Sequence, residues 1–193
     1  DISDEEFDKT YAALEAGGVG INCFGSAVAN WATKIDEPFD VTLGQIERAL
    51  PRMQRLNCKM IRIMSFAVLK DADGNPVKEQ MLDERFSRLR KIQSLFGEAG
   101  ITPVHENCMN YGGMGWRETM TMIENVPGLK LVFDTGNPIF TADNMASDAN
   151  VRQDAWDFYE NVKQHIAYVH IKDGTWNDGK VSYSFPGEGD GYV

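Results

Sequence analysis

Three polar side chains of the kind that bind metal ions stand at equivalent places in this sequence. Each closes a short apolar run and precedes a polar segment, as at the end of a buried strand: Glu106, Asp134 and His170. Glutamate, aspartate and histidine are residue types that bind hard and borderline divalent cations. One such residue alone is more often a helix cap or a salt-bridge partner. Three in equivalent positions predict a shared site for Mn²⁺, Mg²⁺, Co²⁺ or Zn²⁺.

Side-chain alternation along the strands brings charged neighbours to the same site. Lys172 is two residues after His170, so both side chains lie on the same face of the strand. The Lys172 ammonium then either holds an anionic oxygen or phosphate of a substrate or is solvated. Arg62 lies between two isoleucines. If these pack on helices, the Arg62 guanidinium points to the interior and requires a carboxylate partner. His105 faces away from the site and is predicted to pack under a helix.

Other residues that follow the predicted strands are candidates for substrate contacts: Asn107, Asn137, Trp116 and Glu188. Asparagine amides suit sugar hydroxyls, although asparagine is also frequent in loops for turn geometry. A tryptophan in such a loop either stacks on a sugar ring or forms part of a lid. Glu188 lies in the glycine-rich segment 186–191, which either wraps a substrate or is a flexible loop.

The charge balance of the chain argues against one class of partner. The 193 residues carry a formal net charge of -10, whereas nucleic-acid binding depends on Lys and Arg that neutralise phosphates. We therefore expect a small-molecule substrate and no nucleic acid. With 42% hydrophobic residues the chain can bury one sizeable core, and a single domain over residues 1–193 is predicted.

The cysteine pattern and the absence of long apolar stretches indicate a compartment. Cys23, Cys58 and Cys108 are an odd number without CxxC spacing, which is typical of reduced thiols. No apolar stretch reaches the length of a membrane span, and the acidic first residues are unlike a signal peptide. We expect a cytoplasmic protein without membrane contact.

Strand-like and helical segments alternate along the chain. Buried strands are predicted from apolar runs over residues 19–24, 60–64, 101–106, 131–134 and 167–171. Helices are predicted between them from apolar residues three and four apart, one of them from Val151 to Val162. The last stretch, residues 181–193, is rich in glycine and is predicted to be irregular.

Two capping-box sequences predict where helices begin. Ser3 with Glu6 precedes the first helix, and Thr42 with Gln45 precedes the second. Pro51 is predicted to kink or restart that second helix, because proline has no N–H for the helical ladder.

Apolar strands that alternate with helices indicate a parallel sheet covered by helices. We favour a (β/α)₈ TIM barrel, of which about five strands are present, with an open doubly wound parallel sheet as the alternative. In both architectures ligands bind at the carboxyl ends of the strands. Since five strands do not close a barrel of eight, the chain is predicted to be a portion of something larger.

Four stretches carry a resemblance to a known family: residues 104–107, 133–137, 170–173 and 186–189. With them the chain resembles the xylose-isomerase-like TIM barrels of the AP endonuclease 2 superfamily, of the sugar phosphate isomerase/epimerase type. The resemblance implies that Glu106, Asp134 and His170 bind a divalent metal. It also implies a fourth ligand, a glutamate on a final strand after the Pro-Gly-x-Gly loop. By the resemblance the chain is the central portion of a TIM barrel that lacks its first strands and its last strand, so we expect this fourth ligand to lie outside the sequence.

The function that these features predict is an isomerase or epimerase. The metal and Glu106, as the base, would convert a small sugar, sugar phosphate or hydroxy-carbonyl compound through an enediolate. A metal-dependent dehydratase on the same scaffold is the alternative. A catalytically incomplete barrel also stays open, in which exposed strand edges pair with another copy in a homo-oligomer.

Overall fold

Five short parallel strands form the main sheet of the computed structural model, which describes residues 2–148, 150–177 and 179–193. In chain order they are β1 (Phe24–Gly25), β2 (Met60–Ile63), β3 (Thr102–Glu106), β4 (Lys130–Asp134) and β5 (Ile166–His170). Each strand pairs with the next along the chain. A doubly wound sheet reverses this order at a switch point, whereas barrel strands follow one another. The observed order is that of a barrel segment.

Helices alternate with the strands. They are α1 (Asp4–Gly17), α2 (Asp40–Arg55), α3 (Leu82–Glu98), α4 (Trp116–Asn125), α5 (Asn137–Phe140) and α6 (Ala155–Val162). Of these, α2, α3, α4 and α6 pack their buried side chains in the core on one face of the sheet. Strand residues such as Ile61, Ile63 and Phe133 join helix residues such as Leu89 and Phe96 in one hydrophobic core. The strand residues that alternate with these core residues point to the opposite face of the sheet. Among the described helices, none combines the length and the apolar character needed to cross a membrane.

The two predicted helix starts have different outcomes. At α1 the capping box is present, with Glu6 N donating to Ser3 Oγ and Ser3 N donating to the Glu6 carboxylate. The second prediction is wrong: α2 begins at Asp40, and Thr42 lies inside the helix with only 1% of its surface exposed. The helix also continues through Pro51 rather than restarting, because its buried face packs in the core on both sides of the proline.

Two other predicted boundaries are wrong. The strand expected over residues 19–24 is reduced to β1, and Val19 is 58% exposed. An edge strand has hydrogen bonds to one neighbour only, here β2, so little pairing holds its first residues. The helix expected from Val151 begins instead at Ala155, because the Asp154 carboxylate caps it by accepting a hydrogen bond from Asp157 N at 2.8 Å.

The sequence prediction also missed an antiparallel hairpin. Strands β6 (Asp173–Asn177) and β7 (Lys180–Ser184) form a separate two-stranded sheet, so the expectation of irregular structure from residue 181 is wrong as far as residue 184. The Asn-Asp-Gly sequence at 177–179 is a hairpin signal that could have predicted it. Residues 185–193, all described, contain no helix or strand, as predicted.

Candidate metal centre

The carboxyl ends of β3, β4 and β5 carry the three predicted metal ligands, named the triad below. Asp134 pairs in register with His170, and Glu106 pairs with Val132 on the same strand as Asp134. Glu106 Oε1 lies 3.3 Å from His170 Nδ1, and Asp134 Oδ2 lies 3.9 Å from the same nitrogen. One donor atom from each residue lies within 4.8 Å of the others. Two carboxylates and an imidazole at this spacing fit a divalent metal ion.

Two cationic side chains and one amide surround the triad. Arg62 Nη1 donates to Glu106 Oε2 at 3.0 Å, so Arg62 has the carboxylate partner that its interior position requires. Lys172 Nζ lies 2.9 Å from Asp134 Oδ2 and donates to Asn137 Oδ1 at 3.0 Å. Asn137 Nδ2 in turn lies 3.5 Å from Glu106 Oε1. The structure thus brings Arg62, Asn137 and Lys172 to the triad.

The surroundings of Glu106 keep its carboxylate ionised. Burial by itself raises the pKa of Glu106, but the hydrogen bond from His170 and the charges of Arg62 and Lys172 lower it more, and the net pKa is below the ordinary value. A carboxylate that is charged at neutral pH can both ligate a cation and accept a proton.

Asp134 is the most buried member of the triad, with 1% of its surface exposed, and neighbouring groups fix its position. Its Oδ1 accepts the N–H groups of Gly136 at 3.0 Å and of Asn137 at 2.9 Å. Its backbone is bridged by the Asn107 amide, which donates to Asp134 O at 3.0 Å and accepts from Asp134 N at 2.7 Å. Asn107, expected to contact a substrate, therefore has its side chain engaged in positioning Asp134.

Trp116 and Glu188, the other expected substrate contacts, make their hydrogen bonds away from the triad. Trp116 Nε1 donates to Asp157 Oδ2 at 2.9 Å, which ties the start of α4 to α6. Glu188 has an exposed side chain, and its backbone N–H donates to Phe185 O at 3.0 Å.

A buried carboxylate next to the site was missed by the sequence prediction. Asp173 is 1% exposed and accepts four backbone N–H bonds of 2.8 to 3.0 Å, from Gly174, Gly187, Gly189 and Gly191. Burial raises the pKa of Asp173, but these N–H groups outweigh it and the net pKa lies below the ordinary value. A Cβ atom at Gly189 would collide with Asp173 Oδ1. The alternating glycines at 187, 189 and 191 are the signal that could have predicted a buried acceptor here.

His105 lies on the opposite face of β3 from Glu106, as predicted. It is fully buried, and its Nε2 lies 3.0 Å from Ser65 Oγ and 2.9 Å from Asn110 Oδ1. Burial lowers the pKa of His105 to about 4, although the hydrogen bond with Asn110 opposes this shift. The imidazole is neutral at physiological pH and stands apart from the triad.

A cleft borders the loops that follow the strands. It has a volume of about 780 Å³ and is lined by apolar side chains that include Trp31, Met109, Met114 and Phe140. Cys108, two residues after Glu106, also lines it, and burial raises the pKa of this thiol to about 12. The thiol is therefore protonated and is not a nucleophile at neutral pH.

Comparison with known proteins identifies the same architecture. The family model of the xylose isomerase-like TIM barrel matches residues 1–193. This agrees with the resemblance and with the barrel predicted from the sequence. No functionally curated protein is similar enough in sequence to match the chain.

Solved structures with the same fold include three that cover nearly the whole chain. A D-tagatose 3-epimerase-like protein has a TM-score of 0.72 and 16% identity, over 98% of this chain and 69% of its own. A xylose isomerase-like TIM barrel protein from Mycobacterium smegmatis in complex with magnesium has a TM-score of 0.68 and 15% identity. The match covers 95% of this chain and 62% of that protein. The probable 3-DHS dehydratase AsbF from Bacillus anthracis has a TM-score of 0.65 and 17% identity. The match covers 91% of this chain and 58% of that protein. The chain thus spans roughly three fifths to two thirds of these relatives.

Proposed function

The chain belongs to the xylose isomerase-like TIM barrel family, and we propose that its triad is the catalytic centre of a divalent-metal-dependent isomerase or epimerase. The substrate would be a small sugar, sugar phosphate or hydroxy-carbonyl compound. The observation that carries this proposal is the approach of Glu106, Asp134 and His170 to within 4.8 Å. They do so at the carboxyl ends of the strands, where barrel enzymes place their active sites.

The donor set fits Mn²⁺, Mg²⁺, Co²⁺ or Zn²⁺, which accept carboxylate and imidazole ligands. Glu106 and Asp134 would each provide one oxygen, and His170 would provide Nδ1. When bound, such an ion supplies polarisation of a substrate carbonyl and of the neighbouring hydroxyl.

Glu106 is the residue that would move the proton. Its ionised carboxylate takes the proton from the carbon next to the substrate carbonyl, and the electron pair of that C–H bond forms an enediolate. Return of the proton from Glu106 to the former carbonyl carbon, while the hydroxyl proton passes to the other oxygen, gives the isomer. The epimer forms when a second acid protonates the original carbon on its other face, a role that would fall to the further glutamate that the family resemblance implies. Arg62, 3.0 Å from Glu106 Oε2, holds the carboxylate in one orientation during both transfers.

Lys172 and Asn137 would bind substrate oxygens beside the triad. The Lys172 ammonium and the Asn137 amide are hydrogen-bonded to each other at 3.0 Å, which orients both groups. Asn137 offers an amide donor and acceptor to a hydroxyl, whereas Lys172 offers a positive charge to an oxygen that becomes anionic.

The test is solvent-proton exchange into substrate with Glu106→Gln in the purified protein. We expect deuterium incorporation from D₂O to be abolished, because a neutral amide accepts no proton at this position. Glu124→Gln is the matched control, since Glu124 is an exposed residue of α4. This variant should incorporate deuterium into substrate at the wild-type rate. Exchange at the wild-type rate in Glu106→Gln would contradict the role of Glu106.

A dehydratase is the second candidate, favoured by the structural similarity to the probable 3-DHS dehydratase. The first step would be the same removal of a proton by Glu106. The electron pair would then expel the hydroxyl group one carbon further away, which leaves as water once protonated. The product is a conjugated carbonyl compound, so a rise in ultraviolet absorbance during turnover would indicate the dehydratase and its absence would favour the isomerase.

A further inference from the structure

The triad is already balanced by charges of the protein itself. Glu106 pairs with Arg62 at 3.0 Å, and Asp134 pairs with Lys172 at 2.9 Å. Both carboxylates are buried, with 10% of the Glu106 side chain and 1% of the Asp134 side chain exposed. In these two ion pairs, two negative and two positive charges sum to zero.

A divalent ion in the triad would leave this cluster with two excess positive charges. Unbalanced charge in a partly buried site is unfavourable, because protein and solvent screen it poorly there. The loaded site is therefore electrostatically suited to a ligand that brings negative charge.

Lys172 is the cation best placed to receive that ligand. Its Nζ donates a hydrogen bond to Asn137 Oδ1 and forms an ion pair with Asp134 Oδ2, and these are its polar partners among the described residues. The side chain is 34% exposed, compared with 21% for Arg62. An ammonium with a remaining donor and access from solvent can bind an oxyanion without leaving its present partners.

We propose that the site takes a substrate bearing an oxyanion, either a carboxylate or a phosphate group, and that this anion and the metal bind cooperatively through Lys172. The proposal rests on the metal-dependent function above. Without the anion, Lys172 and Arg62 oppose the metal, since they compete with it for Glu106 and Asp134. With the anion, the positive charge of Lys172 is compensated and the metal is held more tightly.

The test is calorimetric titration of Mn²⁺ into the purified protein, alone and with inorganic phosphate, glycolate or ethylene glycol. Blank titrations correct for Mn²⁺ binding to the free anions. We expect saturating phosphate or glycolate to raise the Mn²⁺ affinity about tenfold, within the usual range of coupling between two sites. Neutral ethylene glycol should leave it unchanged. Whichever anion gives the larger effect identifies a phosphate or a carboxylate as the group bound.

Two variants assign the coupling to Lys172. Lys172→Met should bind Mn²⁺ more tightly than the wild type in the absence of anions, by about tenfold, and should lose the anion effect. Lys130→Met is the matched control: it removes the same charge from an exposed residue at the opposite end of β4 and should keep the wild-type coupling.

The outcomes separate the two proposals. Mn²⁺ binding that is unaffected by either anion in the wild type overturns the cooperative oxyanion site and leaves the proposed function standing. Absence of any Mn²⁺ binding overturns both. The wild-type titrations need no variant, so the result does not depend on the folding of Lys172→Met.

Discussion

Replacement of Asp173 by asparagine is the sharpest single test of how the last segment of the chain is held. The Asp173 carboxylate accepts N–H groups from Gly174, Gly187, Gly189 and Gly191. An asparagine offers one carbonyl oxygen, which can keep two of these bonds, while its NH₂ group faces the other two donors. Two lost bonds to a charged acceptor cost roughly 3–6 kcal/mol at 1.5–3 kcal/mol each.

This cost is expected to appear as local opening rather than as global unfolding. Residues 185–193 belong to no helix or strand, so they can detach while the sheet stays folded. An opening made about 3 kcal/mol easier exposes the loop amides roughly a hundredfold more often. Hydrogen exchange followed by mass spectrometry on peptides that cover residues 185–193 measures this directly.

The matched control for Asp173→Asn is Asp190→Asn, which makes the same charge change on an exposed side chain of the same loop. Its exchange rates should remain those of the wild type. Equal protection of the loop in Asp173→Asn and in the wild type would refute the inference that this carboxylate holds it.

The stability of the loop over residues 185–193 should depend on pH in a defined direction. The pKa of Asp173 is lower in the folded chain than its ordinary value of 3.8, so folding favours the charged form. The stabilisation is fully present above about pH 4 and is lost as pH falls through the folded pKa. Exchange protection of the loop, corrected for the intrinsic rate, should therefore be constant from pH 5 to 7.

Two further substitutions test the core and the neutral histidine. Phe96→Ala, at a fully buried position of α3, should lower the free energy of unfolding by about 3–5 kcal/mol in urea titrations, whereas Phe185→Ala, at 78% exposure, should have almost no effect. The pKa of His105 is lowered from 6.5 to about 4, so the wild type should lose about 3 kcal/mol of stability between pH 7 and pH 4 through protonation of the unfolded chain. The free energy of unfolding of His105→Gln should lack this part of the pH dependence, whereas that of His165→Gln should keep it. If His105→Gln lost as much stability as the wild type between pH 7 and pH 4, His105 would not be the cause of the loss.

The strand ends could be predicted from sequence because the rule that places them is local. A strand of a parallel sheet is mostly apolar, so the change from an apolar run to a polar segment marks its carboxyl end, and alternation then fixes which neighbours share a face. Glu106, Asp134 and His170 lie at such ends, and alternation alone places Arg62, which stands between two isoleucines, on the face of Glu106. The geometry of the triad thus required only the assumption that successive strands are adjacent.

The parts that failed depend on contacts between distant residues. Asp173 binds glycines up to 18 positions away, and only the β6–β7 hairpin brings them together. Thr42 and Gln45 have the spacing of a capping box, yet packing of the α2 face in the core starts the helix earlier. The strand expected from residue 19 shrinks to β1 because that strand has a single neighbour. In each case tertiary structure overrides a local preference.

Adjacent residues of β3 show how the sheet separates two kinds of chemistry. His105 and Glu106 are consecutive, so alternation sends them to opposite faces. On the helix-covered face, burial keeps His105 neutral. On the other face, His170, Arg62 and Lys172 keep Glu106 ionised in spite of burial. A register shift of one residue would exchange the two environments, placing a neutral imidazole in the triad and an unpaired carboxylate in the core. The isoleucine and valine pattern of the neighbouring strands, which fixes that register, therefore determines the chemistry of the site as much as the triad does.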